Sequence, residues 1–217
     1  MATFGSAGVL TVLIWCLSIR GFWLSTSLPG VFNIPVIVYG RALCSVLTMK
    51  NLDGGHGQGC YEKGEVASQT RRVFHQLTMY GFLFCFVATS LGTVYHYGLN
   101  TPAPYGWLSA PKIFGMIGGV SLLVGCAGLW WSKLQVELAM KTEDGGLGNS
   151  LIILLFFTSL SGLVLPFLKD TAQLAPVLCL HLGFVLALFL NFGWGKFVHG
   201  LYRFVALIAS EYEKTSD

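Results

Sequence analysis

The sequence predicts an all-α membrane protein, a bundle of five transmembrane helices with one further amphipathic helix at the interface. Two observations carry that expectation. Of 217 residues, 54% are hydrophobic and only 11% charged, with a mean hydropathy of +0.67, which leaves too few charges to cover a soluble globule of this size. Four runs free of Asp, Glu, Lys and Arg, at 73–111, 113–132, 145–168 and 171–195, reach or exceed the roughly 20 residues that cross the hydrocarbon. The chain therefore reads as a single integral membrane domain over 1–217. Its loops are too short for a soluble catalytic domain.

The first span is expected at about 5–25. Met1 to Ile19 carries no charge, and Arg20 alone interrupts the stretch. It has neither a basic n-region nor a small-residue cleavage site, so it reads as a retained helix and not as a signal peptide. The stretch 36–49 is broken by Gly40, Arg41, Ser45 and Thr48 and is read as an interfacial amphipathic helix. Residues 51–70 form a polar, glycine-rich loop. The remaining spans are expected at about 72–97, 112–132, 149–168 and 174–198, with a proline-rich connection at 101–111 between the second and third.

Orientation follows from the basic residues. With five spans, 11 of the 13 lysines and arginines fall on one side, and only Lys112 and Lys169 on the other. The positive-inside rule then puts the N-terminus outside and the C-terminus in the cytoplasm of a bacterial inner membrane. Reading 31–49 as a sixth span would turn the N-terminus inward and leave the later helices unchanged.

Six cysteines show no CxxC, no CxxCH and no ferredoxin-like cluster, so spacing supports no iron–sulfur, zinc or covalent haem site. Those inside expected spans, Cys16, Cys85, Cys126 and Cys179, read as small apolar packing residues. The histidines are different. His75, His96, His181 and His199 stand near the ends of two apolar stretches. At 1.5 Å per residue the His181 to His199 separation amounts to about five whole turns and about 27 Å, on one helix face. His75 and His96 stand about 31 Å apart with an offset of roughly 60°. If the two spans run antiparallel, His75 meets His199 at the cytoplasmic end and His96 meets His181 at the external end.

An imidazole in hydrocarbon is costly unless it has a partner, and two pairs at matching depth are the arrangement that holds two stacked haems b. On this reading His75 and His199 hold the inner haem iron, His96 and His181 the outer one, and the fold is of the di-haem cytochrome b type. A single haem on His96 and His181 stays open, as do roles for single histidines in interhelical hydrogen bonding. Iron held by two imidazoles has no free coordination position, so it passes single electrons and does not activate substrate. Haem propionates need cationic or polar company, and Arg71, Arg72, Lys196 and Arg203 lie near the inner pair. At the outer end Tyr95, Tyr97, Tyr105 and Trp107 are hydrogen-bond donors or an interfacial aromatic belt. Glycines 81, 92, 115, 118, 119, 125 and 128 permit close approach of a porphyrin or of another helix.

The segments GGHGQGCY (54–61), RRVFHQLTMYGF (71–82), TVYHYGLNTPAPY (93–105), KDTAQL (169–174) and GKFVHGLYR (195–203) resemble the membrane domain of the tricarballylate-utilisation protein B family. The resemblance runs from about Phe4 to Ala206. It implies that electrons leave a cytoplasmic flavoprotein dehydrogenase, pass through iron–sulfur clusters and reach quinone through this domain. Members of that family typically carry a ferredoxin-like domain ahead of it, so here the clusters are expected on a separate subunit or in a different complex. The family often has a His-His pair where this sequence has His75-Gln76, so only the first histidine carries over. The layout is also similar to the gamma subunit of respiratory nitrate reductases, although the histidine spacing on the earlier helix is wider here.

The expected function is thus a b-type cytochrome subunit with no turnover of its own. It would link cytoplasmic iron–sulfur and flavoprotein dehydrogenase subunits to the quinone of the surrounding lipid membrane, with a quinone site near Tyr80 and Arg71. The loop 53–65, with His56 and Cys60, is either a flexible polar connection or a docking surface; one His and one Cys are too few for a closed metal site. The alternative function is a haem-free anchor that tethers a soluble oxidoreductase. A transporter finds little support, since no span carries a carboxylate and no inverted repeat is evident. No nucleic-acid partner is expected.

Overall fold

The computed structural model describes the backbone of all residues except 1, 27, 31, 32, 50–59, 64, 65, 141–146, 194–196 and 217, and side chains except also at 2–4, 60–63, 66–68, 136–140, 147–149, 197 and 216. Along the chain run α1 (Ala2–Ser25), α2 (Val36–Thr48), β1 (Cys60–Lys63), β2 (Val66–Ser68), α3 (Thr70–Thr93), α4 (Ala110–Met140), α5 (Leu147–Val164), α6 (Leu174–Phe192) and α7 (Phe197–Ser216). A π-helical turn, Val94–Gly98, extends α3, and a 3-10 turn, Leu165–Phe167, extends α5. Five segments are long and apolar enough to cross a membrane: Gly5–Ser25, Thr70–Gly98, Ala110–Gln135, Ser150–Phe167 and Leu174–Phe192. By length and composition this is a multi-pass membrane protein, with four spanning helices on the charge-free runs and the first, which contains Arg20, on the apolar stretch near 5–25.

Three boundaries differ from expectation. The last span ends at Phe192 and not near 198, and His199 belongs to the separate helix α7. The five-turn arithmetic that puts His181 and His199 on one helix face therefore does not apply to them. Within the expected loop 51–70, β1 and β2 pair antiparallel, with Cys60 opposite Ser68, Tyr61 opposite Ala67 and Lys63 opposite Val66. Helix α4 continues past the apolar stretch to Met140.

The chain divides into two compact units, residues 56–185 and residues 1–55 with 186–217. The first unit is built on the pair α3 and α4, whose backbones touch. A Cβ on Gly81 would lie 2.5 Å from the Leu122 nitrogen and 2.9 Å from the Gly118 oxygen, and one on Gly118 would lie 2.8 Å from the Cys85 nitrogen. Both positions need glycine because backbone, which cannot move aside, occupies the place of the side chain. Between apolar helices in lipid such contact supplies the association that water expulsion supplies in solution. Helix α5 is fixed to α4 by the buried Ser159, whose hydroxyl donates to the Gly119 carbonyl at 2.6 Å. The connection from α3 to α4 folds back on α3: Tyr105 donates to the Gly92 carbonyl at 3.0 Å, and Thr101 gives both its N–H and its hydroxyl to the Tyr95 carbonyl.

In the second unit, α2 and α7 make a small core of their own. Ile34, Val38 and Ala42 recur every four residues and bury against Leu207 and Ile208, with Trp23, Tyr39, Phe204 and Tyr212 around them. Helix α7 is amphipathic: Val198, Val205 and Ile208 are buried, whereas Glu213, Lys214 and Thr215 near its end are exposed. The helix read as interfacial from sequence thus buries Val38 and Ala42 against α7 while Val36, Ile37 and Leu43 stay exposed. At the end of α6, the Phe192 carbonyl accepts from Trp15 Nε1 at 2.8 Å and the Phe189 carbonyl from the Thr11 hydroxyl at 3.2 Å.

Replacing Gly81 with valine is expected to destabilise the protein by about 1–3 kcal/mol through overpacking. Gly183→Ala, where no atom lies within 4 Å of the added methyl, should leave the thermal transition in detergent unchanged or slightly raised. Equal transitions for the two variants would refute the backbone contact.

Candidate cofactor site

Helix α6, LAPVLCLHLGFVLALFLNF, contains two strongly polar side chains, His181 and Asn191. Asn191 satisfies itself locally, donating to the Ala187 carbonyl at 2.8 Å. His181 lies about 10 Å along the helix from its start, and its ring is half-buried against α5. The Ser161 hydroxyl lies 3.0 Å from His181 Nδ1, 2.7 Å from the Phe157 carbonyl and 3.1 Å from that of Thr158. The next residue, Gly162, makes room for the ring: a Cβ there would lie 2.9 Å from Cε1 and 3.4 Å from Nδ1. One turn away on both helices, the rings of Phe157 and Phe184 stack at 5.8 Å and 21°. Ser159 and Ser161 are two residues apart, about 200° round the helix. One therefore serves α4 and the other α6.

The other histidines are more open. His96 is exposed on the π-helical turn, where the Leu99 N–H reaches back five residues to the Val94 carbonyl. Such turns widen a helix and are frequent at functional sites. Its ring meets that of Tyr97 edge-on at 4.7 Å. Tyr95 and Tyr105 make a second edge-on pair at 5.6 Å, and Lys112 Nζ stands 3.5 Å over the Trp107 ring. These contacts bear out an aromatic cluster at this end of α3. His75 is exposed in the second turn of α3, beyond Arg71, which is exposed, and Arg72, which is half-buried. His199 is exposed and Arg203 half-buried one turn apart on α7. Lys196 and His56 lie outside the described residues, as does the Cys60 side chain.

Sequence reasoning places His96 with His181 and His75 with His199. The first two share the unit 56–185, and among the described residues no hydrogen bond or ring contact joins them; each ring has its own neighbour. His75 belongs to one compact unit and His199 to the other. Among the described residues no three His, Cys, Asp or Glu side chains gather as a metal site, but an axial haem pair asks for only two rings. His181 fits what haem iron asks of an imidazole. It is sheltered, one ring nitrogen is engaged by a fixed oxygen and a glycine clears space beside it.

A family model described as Citrate utilization protein B matches residues 2–217. The chain belongs to the citrate utilization protein B family. The Citrate utilization protein B of Escherichia coli is 40% identical over 216 residues, which cover 97% of this chain and 55% of that protein. The chain thus spans about half the length of the curated relative it matches. No solved structure matches. In this citrate utilization protein B family member, the site residues that sequence reasoning passed over are Ser161 and Gly162. The available signal was the polar and small cluster Thr158, Ser159, Ser161 and Gly162 inside an apolar span, adjacent in the chain to the helix that carries His181.

If Gly162 exists to admit the ring, Gly162→Ala should cost about 1–3 kcal/mol in a wild-type background and much less when combined with His181→Ala. A double-mutant cycle on thermal stability measures this coupling. Additive effects would show that the ring is not what the glycine accommodates.

Proposed function

We propose that this chain is a haem b electron-transfer subunit of the bacterial inner membrane, serving the use of citrate or a related tricarboxylate such as tricarballylate. The observation that carries the reading is His181, a half-buried imidazole inside an apolar spanning helix, hydrogen-bonded to Ser161 on the next helix. A polar ring at that depth is expensive unless it has a task. Family membership supports the substrate class through the name of the relative, Citrate utilization protein B.

Bound haem would supply one-electron carriage without an open coordination position. His181 and His96 would hold it, and His75 and His199 would hold a second. Arg71, Arg72, Lys196 and Arg203 would give cationic company to the propionates of that second haem. The proposed partners are a cytoplasmic iron–sulfur protein, a flavoprotein dehydrogenase and membrane quinone, the last near Tyr80 and Arg71. The N-terminus would face outward and the C-terminus the cytoplasm, as the distribution of lysine and arginine favours.

A haem-free anchor is the second reading, and it is favoured by the exposure of His75, His96 and His199. Absorption of detergent-purified protein, dithionite-reduced minus oxidised, separates the two. The haem reading expects a sharp reduced band, removed by half in His181→Ala if two haems are present and entirely if there is one. Colourless protein from haem-replete cells would sink it in favour of the anchor.

A further inference from the structure

The geometry points to Ser161 as a positioning residue that holds His181 in the Nδ1–H tautomer, so that Nε2 would carry the lone pair available to haem iron. The inference rests on the haem reading for its purpose, but the tautomer itself stands on proton bookkeeping. The Ser161 hydroxyl has one hydrogen and three neighbours: the Phe157 carbonyl at 2.7 Å, the Thr158 carbonyl at 3.1 Å and His181 Nδ1 at 3.0 Å. A carbonyl oxygen never donates. If the hydroxyl hydrogen went to Nδ1, the serine and Phe157 oxygens would face each other at 2.7 Å with no hydrogen between them, a repulsive contact that the low dielectric of the membrane interior strengthens. If the hydrogen goes to Phe157, the serine lone pairs are free to accept from Nδ1–H, and the Thr158 carbonyl, which the ring also reaches, stands as a further acceptor that no hydroxyl hydrogen has to serve.

The remaining question is the charge of the ring. An imidazolium in a span is disfavoured, and no carboxylate lies in the helix that carries His181 or in the helix against it. The ring is therefore neutral, and a neutral ring protonated on Nδ1 has its acceptor on Nε2. That is the form in which an imidazole ligates through Nε2, its other nitrogen held by a second group that fixes ring orientation and raises ligand basicity. Gly162 completes the seat. With no Cβ it lets the Cε1 edge of the ring approach α5, which keeps Nδ1 against the serine.

The test uses full-length protein in lipid nanodiscs with ¹⁵N-labelled histidine, His181 being assigned by difference from His181→Gln. In haem-depleted protein, wild type and Ser161→Thr should show His181 protonated on Nδ1 and unprotonated on Nε2. Ser161→Ala should shift the ring toward the Nε2–H form. In haem-replete protein, Ser161→Ala should raise the midpoint potential of the haem bound at His181, because a less basic ligand favours ferric iron less, and Ser161→Thr should restore it. Nε2–H as the dominant form in wild type, or an unchanged tautomer in Ser161→Ala, would overturn the assignment. A colourless wild type that still shows Nδ1–H would uphold the tautomer lock while ending the haem reading, so the two fail separately.

Discussion

No water reaches the hydrocarbon layer, so a polar hydrogen carried there must find its acceptor inside the protein. The unit 56–185 is arranged around that constraint at α5. This helix is short and almost wholly apolar, yet it bonds to both neighbours through two serines on roughly opposite sides. Ser159 reaches the backbone of α4, and Ser161 meets the ring on α6. Each serine engages a partner on another helix. The setting of the His181 ring follows from where α5 presents the Ser161 hydroxyl.

The pair α3 and α4 provides the fixed side of this arrangement. Their contact at Gly81 and Gly118 is backbone against backbone, which allows little rotation of either helix without a clash. The segment joining them is also pinned, since Tyr105 and Thr101 return to the carbonyls of Gly92 and Tyr95 near the end of α3. The π-helical turn that carries His96 is thus closed from the loop side as well as from the helix side. His96 itself stays exposed in this widened turn, its ring edge-on to that of Tyr97.

Much of this was legible in the residues. Charge-free runs located four of the spanning helices and an apolar stretch interrupted by Arg20 the first, because length and apolarity are the two quantities the bilayer selects for. Of the glycines noted on α3 and α4, Gly81, Gly118, Gly125 and Gly128 lie where the two helices approach most closely, and Gly119 faces Leu163 of α5. What escaped was local or cooperative. The break after Phe192 is not marked by charge, since the apolar run continues to Gly195, so a composition reading prolongs the span. Helix α7 has a clear amphipathic stripe, Val198, Leu201, Val205, Ile208 and Tyr212, but its significance lies in a partner stripe on α2, and a pairing between remote segments is not written in either one alone. The π turn at Val94–Gly98 has no composition signature. Ser161 was invisible for a related reason: a serine in a spanning helix usually bonds its own backbone, and only the neighbouring ring shows that this one does more.

The indole of Trp15 closes the carbonyl end of α6 from 177 positions away in the chain. Synthesis delivers α1 long before that carbonyl exists, so α1 must wait in the bilayer, or in the insertion machinery, with its indole hydrogen uncommitted while all the intervening spans emerge. Assembly of this unit is therefore a late event by construction. A ribosome stalled before α6 leaves α1 without the carbonyl that its indole engages.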